Sequence, residues 1–222
     1  MKTERAYVFS AVADERRHIA SLIDGLDDRQ LATPSLCAGW DIKTVAAHVL
    51  STIADGLPAF LRLAVRRASL ARAIDELARR RAQMTAPEIA AGLRRYADCP
   101  ISPPLFGPLD PLADVLVHSG DIRIPLGLPL NPAPVHAALA LDFLTGPWPF
   151  GFVPLGQLRG IRLESTDIDR VWGKGANIRG PVAALMMTVA GRTALVGLLE
   201  GAGLPILRHR LAPTAARQTG GQ

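Results

Sequence analysis

The sequence predicts an α+β protein, with a helical domain over residues 1–146 and a small α/β domain over residues 147–212. Three observations lead there. Apolar residues recur at helical spacing, with capping residues and prolines at segment starts, as far as Leu144. After Gly146-Pro147-Trp148-Pro149 the texture changes, and Gly160-Ile161-Arg162-Leu163-Glu164-Ser165 alternates apolar and polar residues as a half-buried strand does. With 222 residues, 49% hydrophobic and 20% charged, the chain can bury a substantial core, which excludes disorder over most of its length.

Glu4 to Leu22 reads as a first helix, with Phe9, Val12, Ile19 and Leu22 on one face and Asp14, Glu15, Arg16 and Arg17 on the other. Gly25 ends it, and Thr33 to Asp41 is a loop by its Pro, Gly and Ser content. Asp41 is a good N-cap for a second helix carrying Val45, His48, Val49, Thr52 and Ile53. A third helix is expected from about Pro58 to Gln83 and a fourth from Pro87 to Tyr96. Cys99 to Pro108 is a loop. Asp110-Pro111 reads as an N-cap followed by a first-turn proline, opening a helix with Leu112, Val115, Leu116, Val117 and His118 that ends near Gly120 to Arg123. Val135 to Leu144 is another helix. In the second domain, strands are expected at Gly160–Ser165 and Leu204–Leu207, and Val171–Gly175 reads as a strand entering a turn. Between the last two lie a helix ending at Gly191 and a short one reaching Glu200. The tail from Pro213 to Gln222 is expected to be disordered.

A net charge of +5 raises the question of nucleic acid, but the arginines are scattered and no recognition motif accompanies them. A basic surface is compatible with an anionic substrate or cosubstrate. The longest apolar stretch, Pro181 to Leu199, is interrupted by Gly191-Arg192, so no membrane span is expected. Two cysteines, Cys37 and Cys99, make no disulfide framework, and the charged N-terminus lacks a signal core; a cytoplasmic protein is the default, monomeric or homodimeric.

The residues that suggest chemistry are histidines and acids on helices. Asp114, His118 and Asp121 stand four and three residues apart, so they project from one helix face. With His48 from another helix they supply two imidazoles and a carboxylate. Three such ligands with an open fourth position describe a catalytic divalent-metal site, zinc first among candidates. Spacing alone leaves a plainer alternative open. A lone histidine on an apolar face is commonly a hydrogen-bonded core residue, Asp114 an acid favoured by the helix dipole, and Asp121 a turn residue.

Two longer segments narrow the choice. Gly39-Trp40-Asp41-Ile42-Lys43-Thr44-Val45-Ala46-Ala47-His48 resembles the GW-t-v-x-d-v-a-a-H-l segment of the mycothiol-dependent maleylpyruvate isomerase family. His118-Ser119-Gly120-Asp121-Ile122-Arg123-Ile124-Pro125-Leu126-Gly127 resembles its H-x-x-D-I-R-R-P-L-G segment, and Arg179-Gly180-Pro181 and Ala190-Gly191-Arg192 extend the likeness. The resemblance implies a DinB-like four-helix bundle followed by a small sterol-carrier-like α/β domain. It implies a zinc or similar ion held by His48, Asp114 and His118. The family's characterised isomerase has Glu at the acidic position. The shorter Asp114 here leaves Asp121 as a substitute ligand or as a partner orienting His118. Ile124 stands where the family has a second Arg.

The resemblance further implies mycothiol as cosubstrate and a small electrophile as substrate. In an isomerase the activated thiol would add to a cis double bond, allow rotation and leave; in a transferase it would stay attached or displace a leaving group. Arg123 and Arg192 are candidate catalytic residues that would grip an anionic group, against plainer roles as a helix-end ion pair and a capping surface arginine. Cys37 precedes the His48 helix, where a thiol pKa can fall, but a buried structural thiol is the expectation. The alternative to an enzyme is a non-catalytic protein of the same fold that binds a metal or an apolar ligand.

Overall fold

The computed structural model describes residues 2–102, 107–147, 149 and 151–212. The expected disorder of the tail falls on 213–222, outside the described residues. Eight helices come first: α1 (Lys2–Asp24), α2 (Asp28–Leu31), α3 (Ile42–Ala54), α4 (Gly56–Arg67), α5 (Leu70–Arg81), α6 (Ala86–Arg95), α7 (Leu109–Arg123) and α8 (Pro134–Leu144). The second part holds β1 (Ile161–Ser165), β2 (Val171–Gly173), β3 (Ala176–Gly180), α9 (Val182–Val189), a 3-10 helix over Thr193–Leu198, and α10 (Leu204–Leu211).

Helices α1, α3, α6 and α7 pack on one another as a bundle. Their starts are encoded locally. Asp41 accepts a 2.7 Å hydrogen bond from the Thr44 amide at the head of α3, and Thr85 and Glu88 form a reciprocal capping box on α6. From the bundle, α8 packs on α7 and α9 packs on α8. The sheet, in order β2-β1-β3, pairs β1 antiparallel with β2 and parallel with β3. One apolar cluster runs from Val8 through Leu50, Leu116 and Leu141 to the strand residues Ile161, Leu163 and Ile178 and on to Leu207. Gly120 matters to that continuity. A Cβ there would stand 2.5 Å from the Met187 methyl, so glycine lets the Met187 side chain of α9 lie directly against α7 beside the ligand-bearing turn.

Four expectations are corrected. The single helix over Pro58–Gln83 is two, because Ala68 adopts φ 50° in the left-handed region and Ser69 caps α5 by accepting from the Arg72 amide. Neither Gly nor Pro marks that break in the sequence. Asp110 is not the N-cap of α7: the helix begins at Leu109, so Asp110 lies inside its first turn. Ala176–Gly180, expected only as a lead-in to a helix, is a strand, since its partner β1 supplies a parallel ladder. Leu204–Leu207, expected as a strand, is the start of α10. Pro205 removes a ladder donor yet suits a helix's first turn. Gly203 also packs where a Cβ would lie 2.5 Å from the Ala176 carbonyl oxygen.

Candidate metal centre

The Asp41 cap fixes the start of α3, and His48 then points into the bundle, 7% exposed. Asp114 and His118 lie one turn apart on α7, which is buried nearly all round. Both imidazole Nε2 atoms face the same carboxylate oxygen. Asp114 Oδ1 is 3.6 Å from His48 Nε2 and 3.5 Å from His118 Nε2. The three candidate ligand atoms lie within 4.8 Å of one another. These separations are long for hydrogen bonds. They suit a tetrahedral ion, for which bonds of about 2.0–2.1 Å put ligand atoms roughly 3.3 Å apart.

Asp121 does a different job from Asp114. It is fully buried, and one of its oxygens lies 2.9 Å from His118 Nδ1. That contact leaves Nε2 as the nitrogen offered to the cluster. Arg192, expected as an anion grip, donates Nε to Asp121 Oδ1 at 2.9 Å and Nη2 to Oδ2 at 2.8 Å, and Nη1 to the Ala190 carbonyl at 2.6 Å. Arg123 donates Nε to Ser119 Oγ at 3.2 Å. It follows His118 by five residues, so it leaves α7 about 140° round the helix from the cluster.

His48 Nδ1 is buried with no hydrogen-bond partner among the described residues, a deficit worth about 1–3 kcal/mol. Trp40 closes the site over both imidazoles, with ring centroids 5.1 Å from His48 and 6.5 Å from His118. It is held by its indole N–H donating to Asp75 at 2.8 Å.

Burial lowers the His48 pKa below the usual histidine value, despite Asp114. Burial also works against charge on His118, but Asp114 and then Asp121 outweigh it and push its pKa up to about 9. Burial would raise Asp114, yet the two imidazoles hold its carboxyl far below the usual carboxylate range. Without an ion, the neighbouring carboxylates thus favour the charged form of His118 over that of His48. Asp110, one turn before Asp114, has its carboxyl pushed up to about 7 by burial and by the Asp114 charge. Burial, with the Asp121 charge next, pushes the Cys37 thiol up to about 11.

The sequence thus named the three residues that converge, and the structure brings Asp114 rather than Asp121 to the imidazole Nε2 atoms. Sequence reasoning missed Asp110, treated only as a cap, and Arg16, placed on a solvent face although it is 3% exposed. The signal for Arg16 was its place at i+4 from Val12 and i−3 from Ile19, on the buried stripe.

Residues 12–99 match the family model of the mycothiol maleylpyruvate isomerase N-terminal domain. That span includes His48 and stops before α7. No curated protein matches significantly. A crystal structure of the mycothiol-dependent maleylpyruvate isomerase is similar with a TM-score of 0.59 at 14% identity, covering 90% of this chain and 92% of that one. A histidine-to-alanine mutant of that isomerase is similar with a TM-score of 0.58 at 13% identity and the same coverage. Residues 12–99 are thus similar to the N-terminal domain of the mycothiol maleylpyruvate isomerase family, and the chain shares the fold of those two crystal structures along most of its length.

Proposed function

We propose that the protein is a cytoplasmic, metal-dependent and mycothiol-dependent isomerase or S-transferase acting on a small electrophile. The observation that carries this reading is the aim of two imidazoles at one carboxylate oxygen, at distances suited to a cation rather than to hydrogen bonds. His48, Asp114 and His118 would hold the ion, with zinc first among candidates for a donor set of two nitrogens and one oxygen. When bound, it supplies the positive charge that keeps a thiol deprotonated at neutral pH, where a free thiol of pKa near 8.5 is mostly protonated.

The remaining work belongs to the chain. Asp121 fixes the His118 ring through Nδ1, and Arg192 fixes Asp121. Arg192 is then a positioning residue that acts through Asp121, whereas Arg123 is engaged by Ser119 and has no path to the cluster among the described residues. Trp40 covers the imidazoles and limits water. Cys37, with its pKa pushed up to about 11, is no competitor as the nucleophile, which favours a thiol brought from outside.

The test is turnover by the zinc-loaded protein with mycothiol and a panel of electrophiles. Thiol-dependent turnover that disappears in folded His48→Ala and His118→Ala variants is expected. Turnover indifferent to the thiol, or none across the panel with no metal in the isolated protein, would favour a non-catalytic binder of the same fold.

A further inference from the structure

Arg192 is engaged on three sides by Asp121 and Ala190, and Arg123 leaves the helix away from the ligand cluster. A third arginine sits beside the cluster. Arg16 on α1 is 3% exposed. Its Nη1 donates to the carbonyls of Ala97 and Cys99, each at 3.0 Å. Among the described residues no carboxylate makes an ion pair with it, and its Nε and Nη2 donate to nothing.

Those two nitrogens are not sealed in. Buried side-chain polar atoms without a partner are confined, among the described residues, to His48 Nδ1 and Thr188 Oγ1. The free edge of Arg16 therefore reaches accessible space. Its helix, α1, packs on α7, which carries Asp114 and His118, and the charges of Arg16 and Asp114 interact, although burial works against the guanidinium. Asp110, one turn before Asp114 on the same helix face, likewise makes no side-chain hydrogen bond or ion pair among the described residues.

A buried guanidinium is a fixed fork of donors that cannot shed its charge, so an unpaired edge calls for an anion. A planar carboxylate accepts two parallel N–H bonds from such a fork. We propose that Arg16 anchors a carboxylate of the small molecule that binds beside His48, Asp114 and His118, an assignment that rests on the proposed function for its choice of site. The residue then determines specificity by selecting ligands that carry an anion at a set distance from the metal centre. That carboxylate belongs to the electrophile, because mycothiol, whose cysteine carboxyl is tied up as an amide, carries none.

The experiment is ligand binding by calorimetry to the purified zinc-loaded protein and to its Arg16→Gln and Arg16→Lys variants, with metal content measured on each. The probes are succinate and dimethyl succinate, then N-acetylcysteine and N-acetylcysteamine. Expected is a dissociation constant for succinate at least tenfold higher in Arg16→Gln, partial recovery in Arg16→Lys, an unchanged diester and full zinc content. N-acetylcysteine, a second carboxylate, is expected to lose affinity alongside succinate, and N-acetylcysteamine, which lacks one, is spared.

A wild-type titration covers the case in which the glutamine variant does not fold: the Arg16 Nε–H resonance shifts as the carboxylate probe is added. Equal carboxylate affinity in wild type and variants, or a wild type that binds neither carboxylate and whose Arg16 resonance stays still, overturns the assignment. Carboxylate binding without any thiol-dependent turnover would remove the thiol-enzyme reading and leave the role of Arg16 standing.

Discussion

Replacing Asp121 by Asn probes how the helical part is tied to the rest of the chain. Asp121 is fully buried and accepts two hydrogen bonds from Arg192, whose side chain is 17% exposed, while its third contact fixes His118. Asn is nearly isosteric but uncharged, and its amide nitrogen cannot accept from Arg192. The buried guanidinium then loses its counter-ion, a change worth about 3–5 kcal/mol when one partner of a buried pair is removed. The His118 ring loses the anion that orients it, and disrupting such a partner lowers metal affinity by roughly 10–100-fold.

Urea unfolding gives the first quantity and competition with a chelator the second. Adding Arg192→Met completes a double-mutant cycle, and a coupling of at least about 2 kcal/mol between positions 121 and 192 is expected. A loss below about 1 kcal/mol, with unchanged zinc affinity, would refute the chain of support from Arg192 through Asp121 to His118.

Four further outcomes are expected. Zinc uptake must displace the proton that His118 holds below a pKa of about 9, so affinity should rise roughly tenfold per pH unit, about 1.4 kcal/mol each, between pH 7 and 9; calorimetry in two buffers of different ionisation enthalpy counts that proton. In the metal-free protein the same raised pKa contributes stability that is present below the ordinary histidine pKa and is lost as pH climbs through about 9. Cys37, raised to about 11, should be alkylated by iodoacetamide at pH 7.5 at least about tenfold more slowly than an unhindered thiol, read by peptide mass spectrometry. Ala68→Gly, at the left-handed residue between α4 and α5, should raise unfolding free energy by about 1 kcal/mol in urea denaturation, the strain of a Cβ in that region.

The bundle was legible because its signals are local. Asp41 and Thr85 cap their helices, and the four-residue step from Asp114 to His118 sets two candidate ligands on one face. What was not legible depends on distant partners. The link from Arg192 to Asp121 spans 71 residues, and nothing near Arg192 distinguishes it from a surface arginine. Strand β3 is defined by the ladder that β1 provides. The turn at Ala68 uses a residue with no preference for its conformation, so no breaker appears in the sequence. Arg16 shows the limit of reading polarity as exposure, because its burial comes with the Ala97 and Cys99 carbonyls that its guanidinium meets far along the chain.

The central claim is that His48, Asp114 and His118 hold one ion with a position left for sulfur. X-ray absorption at the zinc edge tests it directly on the loaded protein with and without mycothiol. The predicted spectrum has imidazole scattering from two histidines, together with an oxygen shell at about 2.0–2.2 Å, and gains a sulfur shell near 2.3 Å when the thiol is added. A spectrum with no histidine scattering, or one left unchanged by saturating mycothiol, would contradict the account.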